Sequence, residues 1–219
     1  MPIKENDFVE IEYTGRLKES NAIFDTTDEK LAKDSGVFDE NTEYGPVIVC
    51  VGKGQVLKGI DAALVGKEAG SFKVELKPEN AFGNKDGKMI QLLPANKFRK
   101  QGIQPMPGLQ VNIDGILGTI KTVSGGRIMV DFNHPLAGRA LNYEIKANRA
   151  VEDDAEKVKA MLKMQFGLKA ESVNVEAGKA SVEVKSEIRK EIQKSMIEKV
   201  KEAVKNVKEV EFSTVKVKK

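Results

Sequence analysis

Residues 46–66, PVIVCVGKGQVLKGIDAALVG, constrain the fold more than any other stretch. Val47, Val49 and Val51 alternate with Ile48 and Cys50, so both sides are apolar, as in a strand buried on both faces. Gly52 and Gly54 predict a turn. Leu57, Ile60 and Leu64 then recur at spacings of three and four before Gly66, which predicts a short helix ended by glycine. Such a unit lies back on a sheet. A helix this short cannot cover a sheet, so its N-terminal end floors an apolar hollow whose walls come from elsewhere in the chain.

The flanking segments supply the sheet. Val9, Ile11, Tyr13 and Leu17 alternate with Glu10, Glu12 and Thr14; Phe72, Val74 and Leu76 alternate with Ser71, Lys73, Glu75 and Lys77; Leu141, Tyr143, Ile145 and Ala147 alternate with Asn142, Glu144 and Lys146. Each is a strand with one polar and one apolar face. Residues 18–45 form a long polar connection whose apolar exceptions are Ile23, Phe24, Val37 and Phe38. Phe24-Asp25 has two readings, a loop anchor beside a turn-forming Asp or an aromatic ring and a carboxylate at the hollow. Phe82 sits in a turn, 78–83.

From about 86 to 131 the character changes. Pro94, Pro105 and Pro107 punctuate four short β-like runs, at 89–93, 109–113, 118–123 and 128–132, and Ser124-Gly125-Gly126 suits a hairpin. This predicts a small all-β module. Met89, Phe98, Ile103, Met106 and Leu109 are either its own core or an apolar surface for a partner. The tail reads as α-β-β-α-β. Asp153 and Glu156 form a capping box, Gly167 stops the first helix, and Ala177-Gly178 turns a hairpin. A second helix starts at Ser186, and the last strand runs over 210–217. A small sheet with helices on one face leaves the other uncovered, which predicts a homodimer through this domain.

Several classes of chemistry are poorly supplied. Cys50 is the only cysteine and His134 the only histidine, so disulfides and Cys- or His-rich metal sites are not expected. His134 suits a turn or a pocket rim better than general-base work. Gly52-Lys53-Gly54 lacks the rest of a phosphate-loop pattern. Charges balance over 1–149, and 16 basic residues meet 13 acidic ones over 150–219, interspersed as on a solvated surface, so no nucleic-acid partner is expected. No apolar run approaches a membrane span and MPIKENDFVE lacks a signal core, so a cytoplasmic location without membrane contact is expected. What remains is a dry hollow lined by Tyr, Phe and aliphatic side chains with one carboxylate, suited to chemistry that needs no nucleophile.

Val9–Gly15 (VEIEYTG), Phe24-Asp25, the run GKGQVLKGIDAAL over 52–64, and Ala81-Phe82-Gly83 together resemble the FKBP-type peptidyl-prolyl cis-trans isomerases. The insertion after Gly83 and the rejoining NHPLAG over 133–138 are similar to the SlyD branch, with its insert-in-flap chaperone domain. The tail resembles the C-terminal extension of long archaeal FKBPs. The fold this implies is α+β: an FKBP antiparallel sheet with one short helix (1–85 and 132–151), a small all-β insert (86–131) and an α-β-β-α-β domain (152–219).

The resemblance also implies functional residues. Tyr13, Asp25, Leu57 (through its backbone N–H) and Phe82 would carry catalysis. Phe24, Val47, Val56, Ile60, Leu136 and Tyr143 would bind substrate, and Met89, Phe98, Ile103, Met106 and Leu109 would form the chaperone surface. Ile60 stands where the family often has a floor tryptophan, Val47 where it has an aromatic, and Phe82 where a tyrosine is common. The metal-binding tail of SlyD is absent, so no metal or cofactor is expected. The expected partners are unfolded polypeptides with X-Pro bonds and a second copy of the chain. A holdase with a vestigial site, or an assembly scaffold on a ribosomal or nucleic-acid surface, are the competing readings.

Overall fold

A computed structural model describes residues 1–215. In chain order the strands and helices are β1 (Phe8–Leu17), β2 (Ile23–Thr26), α1 (Glu29–Asp34), β3 (Val47–Cys50), α2 (Lys58–Leu64), β4 (Gly70–Leu76), β5 (Ile90–Pro94), α3 (Ala95–Lys100), β6 (Gln110–Ile113), β7 (Ile116–Ser124), β8 (Arg127–Asp131), β9 (Leu141–Ala150), α4 (Asp154–Phe166), β10 (Ser172–Glu176), β11 (Lys179–Val184), α5 (Lys190–Ala203) and β12 (Glu209–Thr214). The fold is α+β. Two compact units emerge, one comprising Met1–Leu76 with the chain from Leu141 onward, the other Lys77–Ala140.

The first unit is organised on a five-stranded sheet in which β2, β1, β9 and β4 follow one another and β3 also pairs with β1, every pairing antiparallel. β3 is indeed buried on both sides, and the reason lies in the tail of the chain. Ile48 and Cys50 face a hydrophobic cluster that contains Phe8 and Val151 together with Val158, Met161 and Leu162 of α4 and Met196 and Val200 of α5. By alternation, Val49 and Val51, both fully buried, face the opposite side. Of residues 152–219, expected as a domain of their own, the described part thus shares a core with the central sheet.

The tail keeps the expected element order. Asp153 caps α4 by accepting from Glu156 N at 2.7 Å, and Gly167 ends it in the left-handed conformation. Helix α5 begins at Lys190 rather than Ser186; its N-cap, Arg189, offers no side-chain acceptor, so the helix starts without a cap bond. β11 pairs antiparallel with β10 and parallel with β12, the latter through α5. Part of the expected 210–217 strand, residues 216–219, lies outside the described residues. The uncovered face of this sheet presents Ser172, Asn174, Glu176, Lys179, Ser181, Glu183, Glu209 and Glu211, all exposed. Among the described residues this face carries no apolar patch for pairing two copies.

The second unit holds a four-stranded antiparallel sheet, β5-β8-β7-β6. Its core is Phe98, Val111, Ile113, Ile120, Ile128 and Val130, with Leu93, Ile103 and Leu109 packed against them. Phe98 is 0 % exposed. Three residues expected on the chaperone surface (Phe98, Ile103 and Leu109) therefore belong to the module's own interior. Phe98 rides on α3, a helix that strand-period reading alone did not include, and it plugs the sheet. Met89 and Met106 are exposed as expected. The sheet's other face carries Ile90, Leu92 and Leu117, and Leu92 is paired across the strands with Met129.

Candidate active site

Register on β1 assembles the centre of the site. Gly15 pairs with Tyr143 of β9 on one side and with Asp25 of β2 on the other, and Tyr13 pairs with Ile145. Three rings converge there. Tyr13 and Tyr143 have centroids 5.9 Å apart at 57°, and Phe24 meets Tyr143 edge-on, at 5.8 Å and 85°. Edge-to-face placement sets the positive rim of one ring against the negative face of another. Gly15 makes this possible, because a Cβ there would lie 2.8 Å from Phe24 Cζ and 2.9 Å from the Tyr143 ring. The glycine is needed for space.

Short β2 is fixed to β1 by hydroxyls. Tyr13 N donates to Thr27 Oγ1 at 2.9 Å, Thr27 N donates to Tyr13 O at 3.0 Å, and the Thr14 and Thr26 hydroxyls bond each other at 2.9 Å. This brings the Asp25 carboxylate to the Tyr13 phenol, which donates to it. Burial raises the Tyr13 phenol far above its usual value, and the Asp25 charge and hydrogen bond add to the rise. Burial likewise raises Tyr143, helped by the charges of Asp25 and Tyr13. Asp25 is itself raised, because burial outweighs the bonds it accepts from Tyr13 and Thr26 N. Both phenols stay protonated donors at neutral pH.

The segment after β3 carries three more of the expected residues. Ile60, on α2, is buried, and Val56 and Leu57 are half-buried just ahead of it. Leu57 is the N-cap of α2 and lacks a side-chain cap bond; its carbonyl accepts from Ile60 N and Asp61 N. Its own N–H meets no acceptor among the described residues, as befits one of the unpaired donors at a helix start. Asp61 accepts from Gly52 N and Gly54 N, each at 3.1 Å, and Gln55 Oε1 accepts from Cys50 N at 2.7 Å. Sequence reading gave Asp61 and Gln55 no role, although a carboxylate on the apolar face of α2, beside Ile60 and Leu64, signals a buried acceptor in need of donors.

The remaining expected residues lie elsewhere. Val47 begins β3, paired with Ile11, and also lines a groove of about 290 Å³ with Pro46, Ile48, Ala160 and Met164. Phe82 and Leu136 belong to the second unit. There the Phe82 ring stacks on His134 with centroids 4.3 Å apart, and His134 Nδ1 accepts from Leu136 N at 3.1 Å, a turn-holding bond. A cavity of about 690 Å³ opens over the polar side of the central sheet, among Glu12, Lys73, Glu144 and Lys146. Tyr13 and Ile145 also line it, beside the ion pairs of Glu12 with Lys146 and Glu144 with Lys73, whereas Phe24 and Tyr143 do not. The thiol of Cys50 is buried and pushed up to about 11, chiefly by burial, which leaves it unreactive. Among the described residues no group of His, Cys, Asp and Glu is placed to hold a metal ion, and no helix is long and apolar enough to cross a membrane.

These features can be set beside known proteins. Residues 1–99 match the model of FKBP-type peptidyl-prolyl cis-trans isomerase, and residues 91–136 match that of the FKBP26 IF domain. The chain is 33 % identical over 145 residues to a short-type peptidyl-prolyl cis-trans isomerase of Methanocaldococcus jannaschii, a match spanning 66 % of this chain and 91 % of that protein. It is 32 % identical over 114 residues to a probable FKBP-type 16 kDa peptidyl-prolyl cis-trans isomerase of Pseudomonas fluorescens, spanning 49 % and 75 % of the two chains. With the isomerase SlyD of Vibrio cholerae it shares 31 % identity over 144 residues, 62 % of this chain and 71 % of the other. The chain belongs to the FKBP-type peptidyl-prolyl cis-trans isomerases and is SlyD-like.

Proposed function

We propose that the Tyr13, Phe24, Asp25 and Tyr143 cluster, floored by Ile60, catalyses rotation about X-Pro bonds of unfolded polypeptides, while the open face of the insert sheet captures those chains. Amide rotation costs about 18–20 kcal/mol because resonance is lost on twisting. Water favours the planar, more dipolar amide; a dry hollow withdraws that preference and so favours the twisted form relatively. The proline ring rests against Tyr143 and Ile60. Leu57 N–H and Tyr13 Oη hold the flanking carbonyls, and Asp25 orients the phenol. The observation that carries this reading is the convergence of three rings on one hydrogen-bonded phenol–carboxylate pair.

Val56 widens the wall of the site. No proton is transferred, so the rate is expected to be flat near neutral pH. The setting is the cytoplasm. Pairing of two copies gains no support from the open, polar face of the tail sheet. The exposed aliphatic strip on the insert also favours a second reading, a holdase in which the pocket contributes little. Exchange NMR on a prolyl tetrapeptide separates the two: accelerated cis-trans exchange that falls in Tyr13→Phe supports the isomerase, and exchange no faster than in buffer overturns it.

A further inference from the structure

The turn that presents Leu57 N–H has little backbone scaffolding of its own. Gly52 and Gly54 both adopt positive φ, 83° and 66°, and the one backbone bond that closes the turn, Lys53 N to Cys50 O, is long at 3.3 Å. Side chains do the holding instead. Asp61 ties down Gly52 and Gly54 from the side of α2. From the other side the ties come from the tail: Gln55 Nε2 reaches Met161 Sδ of α4 at 2.9 Å while its Oε1 takes Cys50 N, and Lys53 Nζ pairs with Glu202 of α5 at 2.8 Å. Cys50, where the turn begins, is buried in the cluster that α4 and α5 complete.

We infer that α4 and α5 are working parts of the isomerase site: through Gln55 and Lys53 they hold the 52–57 turn, and Gln55 is a positioning residue for the Leu57 N–H. Gln55 is suited to this because it spans both partners at once, two residues ahead of the donor. A donor misplaced by a fraction of an ångström loses the carbonyl it must fix while the amide rotates. The tail therefore sets how firmly the site grips a prolyl segment, and its effect falls on KM more than on the bound-state rate. This inference rests on the isomerase reading above.

The test uses the full chain. Kinetics on a prolyl tetrapeptide are measured for Glu202→Lys, Lys53→Glu and the two combined, alongside Met161→Leu, which keeps the volume and removes the sulfur acceptor. Amide hydrogen exchange is followed at Gly52 and Gly54, whose N–H groups are bonded to Asp61, with Val158 and Val200 as references inside the tail core. Each charge reversal is expected to lower kcat/KM about threefold, chiefly through KM, as suits one partly exposed pair. It should also speed exchange at Gly52 and Gly54 and leave the reference amides unchanged. The combined reversal restores both. Gln55→Ala is expected to cost about tenfold, because it also leaves Cys50 N without an acceptor, and Gln55→Glu, which keeps that acceptor, recovers part of the loss. Unchanged exchange at Gly52 and Gly54 in both single reversals, or a combined reversal that restores neither property, overturns the inference. A wild-type chain without isomerase activity would instead overturn the functional reading, and the exchange arm would still decide whether the tail holds the turn.

Discussion

The two units handle apolar surface in opposite ways. The first turns its rings inward: Tyr143 is 2 % exposed, packed edge-on by Phe24 and capped by the bonded pair of Tyr13 and Asp25. The second leaves aliphatics outside, with Leu92 58 % and Leu117 57 % exposed on the face opposite its core. Rings locked against each other fix one geometry and suit a single bond in a single pose. Flexible aliphatic chains on an open sheet accept many segments in many poses. The tail sheet serves as a control for openness itself. It too has an uncovered face, yet that face is polar, so capture is expected from the chemistry of an open face and not from its being open.

The strongest way to break the contrast is to remove one side of it. Replacing residues 86–131 with a short polar loop is expected to slow catalysis on an unfolded protein substrate about a hundredfold, the scale of a lost tethering effect, and to leave a prolyl tetrapeptide nearly unaffected. Equal losses on both substrates would dissolve the division of labour. Next in size is Gly15→Ala. Its methyl group meets Phe24 and Tyr143 in a filled space, so a stability loss of about 1–3 kcal/mol is expected by denaturant titration, with peptide and protein substrates slowed alike. Leu92→Ser with Leu117→Ser should weaken suppression of aggregation a few-fold while tetrapeptide kinetics stay put; Glu183→Ser with Glu209→Ser on the tail face should do nothing.

The smallest effect concerns Asp25. Its folded-state pKa is raised, so the folded chain binds the proton more readily than the unfolded one, and stability from this group is present below the unfolded pKa and lost as pH rises through the folded one. Asp25→Asn is therefore expected to raise Tm at neutral pH by a small margin that vanishes in acid, and to lower kcat/KM at the same time. A drop in Tm at neutral pH would mean that the carboxylate is held by more than it costs to bury.

Much of this was legible in the chain because periodicity survives where one face of an element is buried. The strands of the central sheet, the tail order and the capping of α4 follow from alternation, glycine and a capping box. What stayed hidden was short or two-sided. β2 and α1 span four and six residues inside a polar connection, too few to display a period. Phe98 looked like a surface candidate because nothing in a proline-punctuated stretch announces the one helical turn of α3 that points it inward. At the site, Tyr13, Phe24, Asp25 and Tyr143 were expected together and lie together. The fixing of the Leu57 turn by Gln55 and Asp61 was not legible, since a side chain that bonds a backbone five residues earlier or two elements away leaves no spacing rule to read.

β3 serves as a party wall, with one room on either side. A fragment ending near residue 151 would strip the plaster from one of them, leaving Phe8, Ile48 and Cys50 bare to water, at about 1.5–3 kcal/mol for each large side chain so exposed. Such a fragment should clump unless those positions are made polar, so trimming this protein to its catalytic half calls for redecorating that wall first.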